Sequence, residues 1–477
     1  MRAAPFLLLP LAACAVTSDV PPPALEVPAA YRASSTNARA VWPTAAWWRG
    51  FGSPELDRLI EAARAGNFDI KAAVARVRQA DAQLVASGAA LLPTMSLGAG
   101  EQYSYASTRR VSGQTARVTS TETRSFSLTP SISWEADIWG RIRSGREAAS
   151  ATALASRFDQ EAVALTIVTS VASIWFQALA LQDRVAIARR NLADAEAILH
   201  AIEARQAAGT ASALDVAQQA ALVAGVRASV PGLQSQLDQQ ITTLAVLTGR
   251  PPSALTVQPG TLDALKLPEI APGLPSSLLA RRPDVAEAEA QLASASANIK
   301  VARAAFFPRI ALSGSGGWQS LALATLFGPG SLFANVALSG TQAVFDNGAL
   351  SAQVEQNRGR YDELLATYQK AVVQAFTDVE NGVRSYQFAT EQERLTIEAV
   401  RVAQFAADIA SEQVRAGTSD VVRALQAQTT LFQDLDSLAQ VRLSRFQALL
   451  SLYKAMGGGW SREDVAAPEV RLFQGVL

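Results

Sequence analysis

The sequence predicts a mainly α-helical chain with a smaller antiparallel β portion, built as one unit written twice. Each unit is a hairpin of strands set on a very long helical column. Three observations predict it. Residues 67–93 laid over 282–308, an offset of 215, agree at eight of 27 positions, among them Asp69 with Asp284 and Pro93 with Pro308. Gly140 to Gly209 spans 69 residues, and so does Gly348 to Gly417. Residues 126–138, FSLTPSISWEADI, alternate apolar and polar side chains with the period of a strand. Self-similarity at fixed spacing constrains architecture before any single element does.

Taken in order, the chain begins with Arg2 and the apolar run PFLLLPLAA, too short to span a bilayer and suited to a signal peptide over 1–13. Cleavage there leaves Cys14, the only cysteine, at the new N-terminus of an arm over 14–54. The first repeat is read over 55–248, with a strand hairpin at 93–139 and a helical tip at 208–211. A mid-height linker covers 249–280. The second repeat runs over 281–456, with a strand hairpin at 308–346 and a tip at 416–419, before a tail at 457–477.

The joins are set by proline. It disfavours the helical conformation in the residue before it, so Pro93 and Pro308 mark helix ends, each leading straight into a strand. Between copies the offset falls from 215 to 208 because Pro93–Gly140 spans 47 residues and Pro308–Gly348 spans 40. Only the segment after the proline varies. Residues 141–208 and 349–416 lack proline and hold one and two glycines, so each reads as a helix of roughly 100 Å at 1.5 Å per residue. The return limbs are shorter, 212–248 and 283–307 for the first copy and 420–456 with 69–92 for the second, stacked end to end. The loops at mid-height, with the N-terminal arm and the C-terminal tail, are expected to gather as a belt.

Composition excludes several classes. With 42 basic and 42 acidic residues and no basic block, nothing favours nucleic acid. One cysteine and one histidine leave no nitrogen and sulfur ligand set for a metal, and His200 reads as a surface or packing residue. No phosphate-binding or zinc-protease motif occurs, so no cofactor and no enzymatic activity are expected. Residues 162–181 carry no charge, yet Thr166, Thr169, Ser170, Ser173 and Gln177 form one stripe, the mark of an amphipathic helix rather than a membrane span.

Four strands with one wet face cannot close a membrane barrel, for which eight is the usual minimum, whereas three copies supply twelve. The same assembly lines up twelve helical strands in a tube. The polar stripe at Thr166 to Gln177 then faces either water inside such a tube or the solvated outside.

The duplicated helix-proline-strand pattern, the turn RxAxGT…LDV at 205–216 and the arm WWRGFGSPELDRLI at 47–60 resemble the TolC/OprM family of outer membrane efflux proteins. The segment LAAC at 11–14 resembles a lipobox, which points to the lipoprotein (NodT-like) branch serving resistance-nodulation-division pumps, with Cys14 lipidated. The resemblance implies a homotrimer in the outer membrane: four transmembrane β-strands per protomer in a β-barrel, and an α-barrel through the periplasm. It also implies a periplasmic adaptor, an inner-membrane resistance-nodulation-division transporter and outer membrane lipid as partners. The adaptor is expected at the tips, Ala208-Gly209-Thr210 and Ala416-Gly417-Thr418, where glycine allows positive φ and threonine can cap the next helix. Family members often narrow the pore with acidic residues six and nine positions after the second tip glycine. Those positions are Arg423 and Gln426 in this sequence, so Asp215 and Asp420 enter as gate candidates, with an ion pair from either to Arg423 as a latch. The implied function is the outer membrane channel of a tripartite efflux pump exporting small molecules; the alternative is a duct for type I protein secretion.

Overall fold

The computed structural model describes residues 20, 24, 27–32, 40–112, 115–416, 418 and 421–465. Their order is α1 (Pro54–Gly66), α2 (Phe68–Ala89), β1 (Thr94–Ser112), β2 (Thr115–Ala136), α3 (Arg141–Ala207) and α4 (Ala213–Leu247). The second half adds a short α5 (Pro275–Leu278), α6 (Pro283–Ala304), β3 (Arg309–Ser320), β4 (Leu332–Thr341), α7 (Ala349–Arg415) and α8 (Val421–Ala455). The duplication is exact in length: α3 and α7 have 67 residues each, α4 and α8 have 35, α2 and α6 have 22. Pro93 and Pro308 are the single residues between helical turn and strand, as the sequence predicts.

The helices form a wall in two tiers. In the upper tier α2 packs on α3, and α6 lies between α3 and α7; in the lower tier α4 packs on α3, and α8 lies between α3 and α7. The long helices cross both tiers. This corrects the expected stacking, because α4 continues into α2, and α8 into α6. Asn67, 3% exposed, joins the first pair: its Oδ1 accepts from the Asp69 and Ile70 amides at 2.8 and 3.0 Å, capping α2, while its Nδ2 donates to the Leu247 carbonyl at 2.9 Å, closing α4. Its repeat equivalent, at an offset of 215, is Arg282. That guanidinium donates to the Ala455 carbonyl at 3.4 Å, to Asp378 at 2.8 Å and to both oxygens of Asp284. A helix C-terminus presents unpaired carbonyls, and these two side chains satisfy one at each joint. The expected order failed because the linker after Gly249 carries the chain across to the neighbouring column before α6 begins.

Glycine makes the joints close. Gly249 and Gly457 both have positive φ, 68° and 83°, and a Cβ on either would collide with the backbone carbonyl across the joint, of Gly66 and Arg281 respectively.

A belt covers one face of the wall at joint height. The single-turn helix Trp47–Phe51, α1 and the linker residues Leu255 and Leu262 bury an apolar core against Val168, Val171, Trp175, Phe176 and Leu179 of α3 and Phe446, Leu449 and Tyr453 of α8. Trp47 stacks on Tyr453 with ring centres 4.7 Å apart, and Phe51 meets Phe176 edge-on at 5.1 Å. This explains why α3 contains a stretch long and apolar enough to cross a membrane: half of it is buried within the chain. Thr166, Ser170, Ser173 and Gln177 lie on the opposite side of α3, where they are partly or fully exposed.

Candidate functional site

The two ends of the column carry the chemistry. At the upper end the four strands form one antiparallel sheet in the order β1-β2-β3-β4. In register, β1 pairs Met95 with Ile132, Leu97 with Pro130 and Ala99 with Leu128; β3 continues the same face through Leu312 opposite Trp134, and β4 through Leu338 opposite Leu312 and Val336 opposite Gly314. Alternation places their neighbours on the other face: Ser96 with Ser131, Gly98 with Thr129, Ser313 with Ser133, and Ser315 with Asn335. One face is apolar across all four strands and the other is polar. The apolar face is bare, with Met95 81% and Val336 80% exposed. The outer edges of β1 and β4 have no strand partner among the described residues. The alternation in β1, β3 and β4 was hard to read from sequence because glycines at 98, 100, 314 and 316 occupy both faces; the register resolves it.

The first hairpin outruns the second. Pairing of β2 with β3 ends at Phe126, so Thr115–Ser125 pair only with β1, and at about 3.3 Å per residue this ribbon overhangs the sheet by roughly 36 Å. Its polar Ser- and Thr-rich sequence begins beyond Tyr103 and Tyr105, both exposed.

Between sheet and column, the Trp134 indole donates to the Leu91 carbonyl at 3.0 Å, and the Trp139 indole to the Pro308 carbonyl at 2.8 Å, tying each strand to the helix end beside it. Trp139 also stacks on Phe307 at 4.7 Å. Asp137 accepts from the Ile142 and Arg143 amides, and Asp346 from those of Gly348 and Leu350, so a carboxylate caps each long helix where its N-terminal dipole favours one.

At the lower end, the first tip is a Schellman turn. Ala208 is the C-cap of α3, Gly209 has φ 74°, the Gly209 amide donates to the Gln206 carbonyl at 2.9 Å and the Thr210 amide to the Arg205 carbonyl at 2.9 Å. The second tip repeats it where described: the Ala416 amide donates to Glu412 and the Thr418 amide to Gln413, both at 2.9 Å. Gly417 lies outside the described residues. Thr210 does not cap the following helix as expected. The Thr210 hydroxyl donates back to the Arg205 carbonyl at 3.1 Å and that of Thr418 to Gln413 at 3.3 Å, while Ser212 caps α4.

The gate candidates are placed differently from one another. Asp215 closes a capping box with Ser212, accepting from its amide at 2.8 Å, and this hydrogen bond, with Arg205 assisting, holds its carboxyl below the usual range. It makes no ion pair with Arg423 inside the chain. Asp420 lies outside the described residues, as does Cys14. Arg423 and Gln426 are exposed on the first turns of α8. Sequence reasoning missed Arg205, whose guanidinium bridges the tips by donating to the Val414 carbonyl at 3.1 Å and to the Thr210 carbonyl at 3.3 Å. Ile198 and Ile202 of α3, Val414 of α7, and Val421 and Ala424 of α8 pack into one small core there, joining both tips. His200 is exposed and meets Glu203 at 3.2 Å.

Comparisons with known proteins agree with this geometry. A family model described as outer membrane efflux protein matches residues 59–250 and 274–458. The chain is 40% identical over 460 residues, 95% of each chain, to the pyoverdine export outer membrane protein OpmQ of Pseudomonas aeruginosa. It is 32% identical over 418 residues to the toluene efflux pump outer membrane protein TtgC of Pseudomonas putida, covering 87% of this chain and 85% of the other. Among solved structures, the outer-membrane channel OprN superposes with a TM-score of 0.84 at 28% identity, covering 93% of this chain and 99% of the other. The open state of the MtrE outer membrane channel of Neisseria gonorrhoeae superposes with a TM-score of 0.81 at 27% identity, covering 94% and 99%.

Proposed function

We propose how this chain works from one premise: it belongs to the family of outer membrane efflux proteins. It is the outer membrane channel component of a tripartite efflux system that exports small molecules, working with a periplasmic adaptor and a resistance-nodulation-division transporter. It is a conduit and not an enzyme.

The observation that carries the mechanism is the four-stranded sheet with a bare apolar face, a polar face and two open edges, seated on a column about 100 Å long. Lipid satisfies no backbone group, so a sheet reaches the bilayer only as a closed barrel. Three copies close it when β4 of each protomer pairs with β1 of the next, giving twelve strands with Met95, Leu97, Val336 and Leu338 against lipid and the serine face against water. The same closure sets α7 of one protomer beside α2 and α4 of the next. The belt, which would otherwise plug the tube, stays outside, and the stripe Thr166, Ser170, Ser173 and Gln177 lines the lumen.

Cys14 carries the lipid anchor that holds the N-terminal arm at the outer membrane; two or more acyl chains anchor far more firmly than one. Ala208-Gly209-Thr210 and Ala416-Gly417-Thr418 receive the adaptor, and the pore narrows at Arg423 and Gln426. The overall likeness to OpmQ, a pyoverdine export protein, supports a pyoverdine-like small molecule as cargo, chosen by the pump that feeds the duct. The test is subunit mass in detergent together with planar-bilayer conductance. A trimer with discrete channels supports the mechanism, and a monomer silent in both the wild type and Arg423→Ala overturns it.

A further inference from the structure

Below the joints, α4 and α8 approach each other over one side of α3, and the three helices line a cavity of about 410 Å³, within the range of sites that take small molecules. Its α3 residues Arg184, Ala188 and Asn191 stand 18 residues after Thr166, Ser170 and Ser173, which is five turns at about 3.6 residues each, so they continue the polar stripe. The belt-facing side, continued by the same count from Val168, Ala172, Trp175 and Leu179, reaches Ala186, Arg190, Ala193 and Ala197, all exposed. The cavity therefore lies on the face of α3 away from the belt, the lumen side in the conduit reading.

Of the nine polar or charged side chains buried among the described residues, seven hydrogen-bond. Of the other two, Gln428 has its oxygen walled in by neighbours, whereas Asn191, 7% exposed, lines the cavity with a carboxamide that is neither bonded nor walled in. A buried amide left unpaired costs desolvation unless a guest supplies its acceptor and donor. Gly232, also on the lining, has open space where a Cβ would lie, so close packing does not require glycine there.

The lining sets the class of guest. Its two charges cancel, since Arg184 Nε and Nη2 donate to the two Asp436 oxygens at 2.6 and 3.1 Å. No other charged side chain lines it, so an ion would give up hydration there without a partner. Ile187, Leu222, Val226, Leu233 and Phe432 supply apolar walls. Asn191 presents an N–H donor and a carbonyl acceptor side by side, and a primary amide or lactam complements both at once, whereas a ketone engages only the donor. We propose that this cavity binds an uncharged amide or lactam carried on an apolar body, as a resting site on the wall of the conduit: the amide pairs with Asn191 and the body lies against Ile187, Leu222 and Phe432.

The test sets a trifluoromethyl tag on the lining, at the exposed position of Gln236→Cys in a Cys14→Ala background, and follows its ¹⁹F signal in the detergent-solubilised full-length protein. Three probes of one size are titrated: benzamide; acetophenone, which keeps the carbonyl and lacks the N–H; and benzoate, which is charged. Benzamide is expected to shift the signal saturably, acetophenone to bind about tenfold more weakly, and benzoate not to bind. Asn191→Leu, similar in volume, should weaken benzamide about tenfold and bring it level with acetophenone. Gly232→Leu, at an exposed position with room for the side chain, should weaken both, and its result stands even where Asn191→Leu folds poorly. No saturable shift, equal affinity for benzamide and either other probe, or unchanged benzamide affinity in either variant overturns the assignment and leaves Asn191 to a bound water. The proposal rests on the conduit reading only for where the cavity opens. A trimer with channels but no saturable shift overturns the site alone, and a saturable shift in a silent monomer overturns the conduit alone.

Discussion

Asn67 offers a direct test of the two-tier architecture, because one buried side chain serves two helices. Asn67→Ala removes an N-cap worth about 1 kcal/mol and leaves the part-buried Leu247 carbonyl without its donor, at about 2 kcal/mol. Together these lower the local stability of the joint by about 3 kcal/mol, so the amides of Asp69 and Ile70 should exchange with solvent roughly a hundredfold faster. Hydrogen exchange read by mass spectrometry on peptides covering 66–72 measures this without global unfolding, which in a large membrane assembly is irreversible. Asn67→Asp separates the contributions. It keeps the cap, since a carboxylate still accepts from both amides and suits a helix N-terminus, but it sets an oxygen against the Leu247 oxygen. It should therefore protect Asp69 and Ile70 while speeding exchange at the end of α4. Equal exchange in wild type and Asn67→Ala, or equal acceleration at both helix ends in Asn67→Asp, would refute the splice.

Four further outcomes are expected, three from the geometry and the last from the proposed lipid anchor. Gly457→Ala should reduce folded protein on a size-exclusion profile, since a non-glycine residue at φ 83° costs about 1–2 kcal/mol before its Cβ meets the Arg281 carbonyl. If the pore narrows at Arg423 as proposed, Arg423→Asp should move the reversal potential in a tenfold salt gradient toward cation selectivity by changing the sign of the charge there. Burial, with Asp159 and Asp284 adding to it and Arg76 opposing, pushes the Glu287 carboxyl up to about 7. A raised carboxyl contributes its stability below its unfolded value and loses it as pH rises through about 7, so Glu287→Gln should flatten the decline in hydrogen-exchange protection of α6, corrected for intrinsic rates, between pH 5 and 8. Cys14→Ala should abolish incorporation of labelled palmitate, read by autoradiography of the purified chain.

The long-range plan of the fold was written plainly in the sequence, because it rests on counting. Glycine at Gly140, Gly209 and Gly348, and proline at Pro93 and Pro308, fall where helices start, stop or give way to strands, and their spacing fixes the 67-residue helices. What could not be read was lateral. Periodicity says that α4 and α6 are helices, yet not which column each joins, since that depends on where a linker crosses. Asn67 and Arg282 stand at equivalent repeat positions but differ in identity, so a search for matching residues passes over them. Thr210 and Ser212 are both plausible caps by type, and only backbone geometry chooses Ser212. Arg205 bridges to Val414 across 209 positions of sequence, a distance at which no local pattern speaks. Pro231 sits inside α4 without ending it; both it and Arg227 are exposed, so the Arg227 carbonyl that loses its helical donor is open to water.

The joints at Asn67 and Arg282 divide the column's members into two mechanical kinds. The shafts α3 and α7 pass mid-height unbroken, while α4 with α2 and α8 with α6 are butted end to end at nearly the same level. A bundle so made is stiff against bending, because continuous rods span the weak plane. It is compliant in torsion, because the butted rods can turn at the seam. Any rotation of the lower tier about the long axis would therefore concentrate at the level of the two joints, where the belt packs across α3 and α8.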